Sequence, residues 1–253
     1  MTWRIVSGSA PGTAHFENGT ACQDHYTARI EKTPESMPVL SIFVADGAGS
    51  ALHGGEGAQF AVETASKYVA QMASKGEFAL NDEFAVGCMI AVRELIYSKA
   101  VKEKLKARDF ACTLLGVVSS HQGTLILQIG DGAIALDFGS GLEIPIVPMS
   151  GEYANMTNFV TDEDAVGLLA SSIIPRQPQK VAVFTDGLQR LAINMATNVA
   201  HEPFFAPFFD AILKTPQEMN ELLHTALSEF LSSDSVNERT DDDKTLVLAM
   251  LME

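Results

Sequence analysis

The chain has 253 residues, 47% apolar and 19% charged, a globular balance that excludes a disordered or fibrous protein. Its 32 acidic residues against 17 basic ones give a formal net charge of −15, a field that repels nucleic acid and anionic membranes and argues against both as partners. Three cysteines without a CxxC pair indicate neither a disulfide framework nor a thiolate zinc site, and they suit a reducing cytoplasm. Met1-Thr2-Trp3-Arg4 lacks the basic-then-apolar run of a secretory signal, and no apolar stretch approaches the ~20 residues of a membrane span. With no linker or repeat in view, the expectation is one soluble cytoplasmic domain over residues 1–253.

In chain order, the pattern predicts a strand over His25–Ile30 and another over Val39–Ala45, whose nearly continuous apolar run suits burial on both faces. A glycine-rich stretch follows. Then Phe60, Ala61, Thr64, Ala65, Tyr68, Val69 and Met72 recur at helical spacing. A second helix starts from Asn81 as N-cap with Asp82 and Glu83 in its first turn, lining its inner face with Phe84, Cys88, Ala91 and Leu95. Strands return at Thr113–Ser119, Leu125–Ile129, Ala133–Phe138 and Val181–Phe184. Thr215-Pro216-Gln217-Glu218 reads as a capping box opening a helix that buries Met219, Leu222, Leu223, Ala226, Leu227 and Phe230. The last strand is Leu246–Leu251. Two blocks of strands, each followed by helices, point to the α+β class, with helices segregated onto sheet faces.

An apolar strand runs into Asp-Gly three times, at Asp46-Gly47, Asp131-Gly132 and Asp186-Gly187. Asp241-Asp242-Asp243 stands before the final strand, and Asp24 before an early one. Any single Asp-Gly reads more simply as a hairpin turn, Asp131-Gly132 above all because strands flank it on both sides. The recurrence argues for carboxylates gathered at strand ends, which like-charge repulsion forbids without a cation. Oxygen donors without cysteines or paired histidines favour Mg²⁺ or Mn²⁺ over zinc.

These residues carry a resemblance. Asp46-Gly47-Ala48-Gly49-Ser50, with Gly57-Ala58 after it, resembles the DGxGx…GA segment of PP2C-type metal-dependent protein phosphatases. Gln23-Asp24, Ile129-Gly130-Asp131-Gly132, Thr185-Asp186-Gly187 and Asp242-Asp243-Lys244-Thr245 resemble four further motifs of that family, in family order. The segment from Gly151 to Thr157 resembles a loop of its compact bacterial subgroup. The resemblance implies a four-layer α-β-β-α sandwich of two antiparallel sheets flanked by helices. It implies a centre of two Mn²⁺ or Mg²⁺ ions with a third, weaker site. Asp46 would bridge the two ions, the Gly47 carbonyl would hold one, and Asp186 and Asp242 the second. Asp24 would act through water, and Asp131 would join Asp186 at the third site. The implied activity is hydrolysis of phosphoserine and phosphothreonine in protein substrates by in-line attack of a metal-bridging water, which makes Asp46 and Asp24 catalytic. Where many members place an arginine three residues after an early glycine, Gly12-Thr13-Ala14-His15 carries His15, the candidate phosphate-facing residue. A decayed phosphatase serving as a binding module and a hydrolase of small phosphorylated metabolites are the competing readings; every metal-ligand aspartate is filled, which argues against decay.

Overall fold

The computed structural model describes residues 2–76, 78–148 and 157–252. In chain order the strands are β1 (Thr2–Ala10), β2 (His25–Lys32), β3 (Pro38–Ala45), β4 (Leu114–Ser120), β5 (Gly123–Ile129) and β6 (Ala133–Asp137). They continue as β7 (Leu142–Glu143), β8 (Ala170–Ile174), β9 (Lys180–Phe184), β10 (Ile193–Asn194), β11 (Val199–Ala200) and β12 (Lys244–Met252). The helices are α1 (Thr13–Asn18), α2 (Gly54–Lys75), α3 (Asp82–Glu103), α4 (Ala165–Leu168), α5 (Gln189–Ala192), α6 (Glu202–Lys214), α7 (Asn220–Leu231) and α8 (Asp234–Asn237). Two compact units share them: a first of Met1–Cys22, Gly132–Val147 and Pro178–Glu253, and a second of Gln23–Asp131 and Pro148–Gln177. Among the described residues no helix is long and apolar enough to cross a membrane.

The second unit is built on the antiparallel sheet β2-β3-β4-β5-β8. Leu40, Ile42 and Val44 of β3 are as fully buried as the alternating Val39, Phe43 and Ala45, so this strand is closed on both faces, as its nearly continuous apolar run predicts. α2 and α3 cover the Phe43 face. The small side chains Ala58, Ala61, Ala65 and Ala73 let α2 approach closely, and Phe84, Met89, Val92 and Ile96 of α3 pack beside it. Each large side chain buried there contributes roughly 1.5–3 kcal/mol. α2 begins at Gly54 and ends at Gly76 in the left-handed region, φ 70°. Asn81 caps α3 as predicted, its Oδ1 accepting the Phe84 N–H at 2.8 Å. The buried face of α3 runs through Ala85, Met89, Val92 and Ile96, not through Ala91 and Leu95, which are only half-buried. α3 is apolar on most sides, so periodicity alone does not choose the face.

The first unit is built on the antiparallel sheet β1-β12-β9-β6-β7. Phe205, Phe209 and Ile212 of α6 and Leu227 and Leu231 of α7 pack into one core with Phe184, Leu246 and Leu248. Here the structure corrects the capping box. Thr215 closes α6, its N–H donating to the Ala211 carbonyl at 3.0 Å, and a 3₁₀ turn over Gln217–Met219 precedes α7. The cause is Arg4, only 7% exposed on β1, whose guanidinium donates to the carbonyls of Ile212, Thr215 and Pro216 and to Asn220 Oδ1. Buried charge satisfied by helix-end carbonyls fixes the α6–α7 corner. Met219 and Leu222, expected in the core, are 44% and 57% exposed, and Ala226 is exposed as well.

Candidate metal centre

In the second unit β2 pairs with β3 so that His25 lies opposite Ala45, which sets Asp24 and Asp46 next to each other in register just beyond the paired ends. The Gly47 N–H donates to the Gln23 carbonyl at 3.2 Å across this junction. Asp46 is gripped through its backbone: its N–H donates to the Thr113 hydroxyl at 2.9 Å and its carbonyl accepts the Thr113 N–H at 2.8 Å. Gly47 must be glycine, because a Cβ there would stand 2.3 Å from the Gly54 carbonyl carbon. Cys112, bridged to Gly47, has its thiol pushed upward by burial and then by the Asp46 carboxylate. Thr113 also abuts Gly130, at which β5 leaves the sheet toward Asp131. Asp131 Oδ2 accepts a 2.5 Å hydrogen bond from the Thr157 hydroxyl. Asp24, Asp46 and Asp131 thus share one edge of this sheet. Residues 151–156, most of the loop with the subgroup resemblance, lie outside the described residues.

The hairpin reading of Asp131-Gly132 is overturned, since β5 and β6 belong to different sheets. Asp46-Gly47 leads to α2, and Asp186-Gly187 forms a 3₁₀ turn leading to α5, so neither is a hairpin either.

In the first unit Thr185 and Thr245 continue the β9–β12 register, the Thr245 N–H donating to the Thr185 hydroxyl at 3.0 Å and the Thr185 N–H to the Thr245 carbonyl at 3.2 Å. Asp186 and Asp242 follow at this end. A Cβ on Gly187 would sit 2.0 Å from the Asp243 carbonyl oxygen, so the two acidic segments touch through this glycine. Partial burial, with the carboxylates of Asp243 and Asp241, pushes the Asp242 carboxyl upward against the Asp243 N–H and His15. Asp243, which sequence reasoning left without a role, is 2% exposed and accepts the Gly12 N–H at 2.6 Å. His15 Nδ1 lies 2.9 Å from the same Asp243 oxygen. The signal for Asp243 was its place in the Asp241–Asp243 run before a strand.

Among the described residues no three His, Cys, Asp or Glu side chains are already drawn together as a metal cage. The donors nevertheless fit a hard cation by chemistry: carboxylates and a backbone carbonyl, with no cysteine or histidine nitrogen among them. Other histidines have structural partners. His224 joins α7 to β1 by accepting the Ser7 N–H at 3.1 Å, and His53 Nδ1 faces Glu56 Oε1 at 2.7 Å.

Residues 11–232 match the protein phosphatase 2C family, a span that holds Asp24, Asp46, Asp131 and Asp186 and stops before Asp242. The chain is 50% identical over 253 residues, the whole of both chains, to serine/threonine-protein phosphatase 3 of Escherichia coli (strain K12). Its fold is similar to that of the serine/threonine phosphatase Stp1 of Staphylococcus aureus, with a TM-score of 0.61 at 12% identity over 100% of this chain and 96% of that one. It is also similar to the catalytic domain of the serine/threonine protein phosphatase PstP in complex with two manganese ions, with a TM-score of 0.63 at 15% identity over 99% of each chain. The ordered aspartates, the two helix-flanked antiparallel sheets and these likenesses agree: the chain belongs to the protein phosphatase 2C family.

Proposed function

We propose that the chain is a metal-dependent serine/threonine protein phosphatase acting on phosphoserine and phosphothreonine in protein substrates, with residues 1–253 working as one phosphatase domain. One observation carries the reading: three Asp-Gly pairs at strand ends, none of them a hairpin turn, in a chain of this family. Asp24, Asp46, Asp131, Asp186, Asp242 and the Gly47 carbonyl are the proposed donors to two Mn²⁺ or Mg²⁺ ions, with Asp131 and Asp186 serving a third, weaker site. When bound, such ions neutralise charge developing at phosphorus and supply an acidified water for in-line displacement.

The chain's own residues prepare that chemistry. Thr113 fixes the Asp46 backbone, and the bare Cα of Gly47 lets its strand end pack against the start of α2. Asp243 fixes the Gly12 loop that carries His15. His15 is the proposed phosphate-facing residue, through Nε2, because Nδ1 faces the Asp243 carboxylate at 2.9 Å. An imidazole offers a single donor there, where a guanidinium would offer a bidentate fork, so substrate capture is weaker than an arginine would give. The proposed setting is the cytoplasm, with neither nucleic acid nor membrane as a partner of so acidic a chain.

The test is phosphate release from a phosphothreonine peptide with Mn²⁺, with Mg²⁺ and with chelator. Release that needs metal and stops with chelator is the expected result. Absence of release with any metal would leave a binding module, and release from sugar phosphates alone would leave a metabolite hydrolase.

A further inference from the structure

The first unit contains a cavity of about 520 Å³ lined by Arg190, Arg239, His201 and Ser235 together with Phe204 and Phe230. Among the described residues no aspartate or glutamate lines it, although acidic residues outnumber basic ones 32 to 17 in this chain. Both arginines are exposed, and among the described residues neither guanidinium has an ion-pair or hydrogen-bond partner. Phe204 and Phe230 are part-buried, 6.2 Å between ring centroids, and present an apolar surface beside the cations. The 13-residue α6 starts here, with N-cap His201 and then Pro203 in the lining, so the positive end of its dipole adds to the field. A repulsive molecule thus offers anions one local exception.

The position in the chain points to the occupant. Arg190 follows Asp186 by four residues, and Arg239 precedes Asp242 by three, so both cations ride on segments that carry proposed metal donors. We propose that this cavity docks an acidic segment of the protein substrate, carboxylate side chains against Arg190 and Arg239 and a neighbouring apolar side chain against Phe204 and Phe230. Guanidinium suits carboxylates by its paired donors, and an open pocket with an aromatic lining suits a peptide side chain. That the segment belongs to a substrate rests on the phosphatase reading; the binding itself does not.

The binding experiment uses the full Mn²⁺-loaded chain and a fluorescein-labelled, unphosphorylated peptide with two glutamates beside a leucine, followed by fluorescence polarisation. Saturable binding that weakens with salt, persists in Asp46→Asn and loses at least about tenfold in affinity in Arg190→Ala/Arg239→Ala supports the proposal. Both side chains lack partners among the described residues, so the double variant should keep the wild-type melting temperature. Equal binding by wild type and double variant overturns it, as does complete displacement by millimolar inorganic phosphate, which would mark a small-anion site. In the kinetic arm, the double variant should raise KM several-fold for a phosphothreonine peptide bearing the acidic segment. Its kcat, and its hydrolysis of p-nitrophenyl phosphate, should not change. An equal loss on both substrates overturns docking. A wild type that hydrolyses neither refutes the phosphatase reading, and the polarisation result then decides the docking proposal alone.

Discussion

Asp46 is positioned by its own backbone, through the Thr113 hydroxyl and N–H. Asp46→Asn keeps size and removes a charge that the proposed cations would share. Turnover of a phosphothreonine peptide at saturating Mn²⁺ should fall by at least ~10²-fold, the scale for losing one key stabilising group; wild-type turnover would refute the metal assignment. Asp137 offers a separate electrostatic test, remote in role from the proposed donors. Asp137 is only 5% exposed, and burial alone would raise its pKa, but the Gly139 and Gly141 N–H groups and Lys180, 3.0 Å away, outweigh burial and hold it below the usual value. A depressed folded pKa gives stability that is present above the unfolded value of ~3.9 and is lost as pH falls through the folded value. Asp137→Ala should therefore cost about 2–3 kcal/mol at pH 7, with the gap from wild type narrowing below about pH 4. Urea denaturation of both proteins at the two pH values measures this, and a gap independent of pH would mean that the charge contributes nothing.

At the scale of elements, the strands that are mostly apolar were legible, because burial on both faces leaves a nearly continuous run: β3, β5 and β9 stand within two residues of their predicted bounds. The cap of α3 was legible because Asn81 bonds locally to the Phe84 N–H. Asn81→Ala should lower stability by about 1 kcal/mol with activity retained, read from the denaturation midpoint at unchanged slope. What failed was decided by partners remote in sequence. Thr215 looks like a cap until Arg4, more than two hundred residues earlier, claims its carbonyl and its neighbours'. β1 mixes Arg4, Ser7 and Ser9 into its run and shows no clean alternation, because β12 and α7 supply partners for its polar groups: Thr245 for Ser9 and His224 for Ser7. α6 went unread because Pro203 and Pro207 interrupt it; the first sits at its start, where proline is tolerated.

For the molecule as a whole, four of the five proposed aspartate donors stand out in the sequence because each carries its own glycine or acidic neighbour, a signal that survives separation along the chain, whereas Asp24 stands out only by its place before β2. The role of Asp243 was not legible, since it holds Gly12 and faces His15 through contacts that exist only when β1 pairs with β12. The proposed centre also makes a thermodynamic demand. Ions that bind the folded chain and not the unfolded one stabilise it by about 2.7 kcal/mol per site at a hundredfold excess over Kd. For a chain of this length that corresponds to a rise in Tm of roughly 5–10 °C on adding Mn²⁺, reversed by chelator. If Asp24, Asp46, Asp186 and Asp242 gather around the cations, they repel one another in the metal-free fold more than in the extended unfolded chain. Asp186→Asn should then have two opposite effects: a smaller gain from Mn²⁺ and a higher Tm in chelator than wild type. A general loss of packing would lower both temperatures together, so calorimetry of the two proteins with and without Mn²⁺ separates the causes. A wild-type melting curve that responds to neither Mn²⁺ nor chelator would contradict the proposed centre at its foundation.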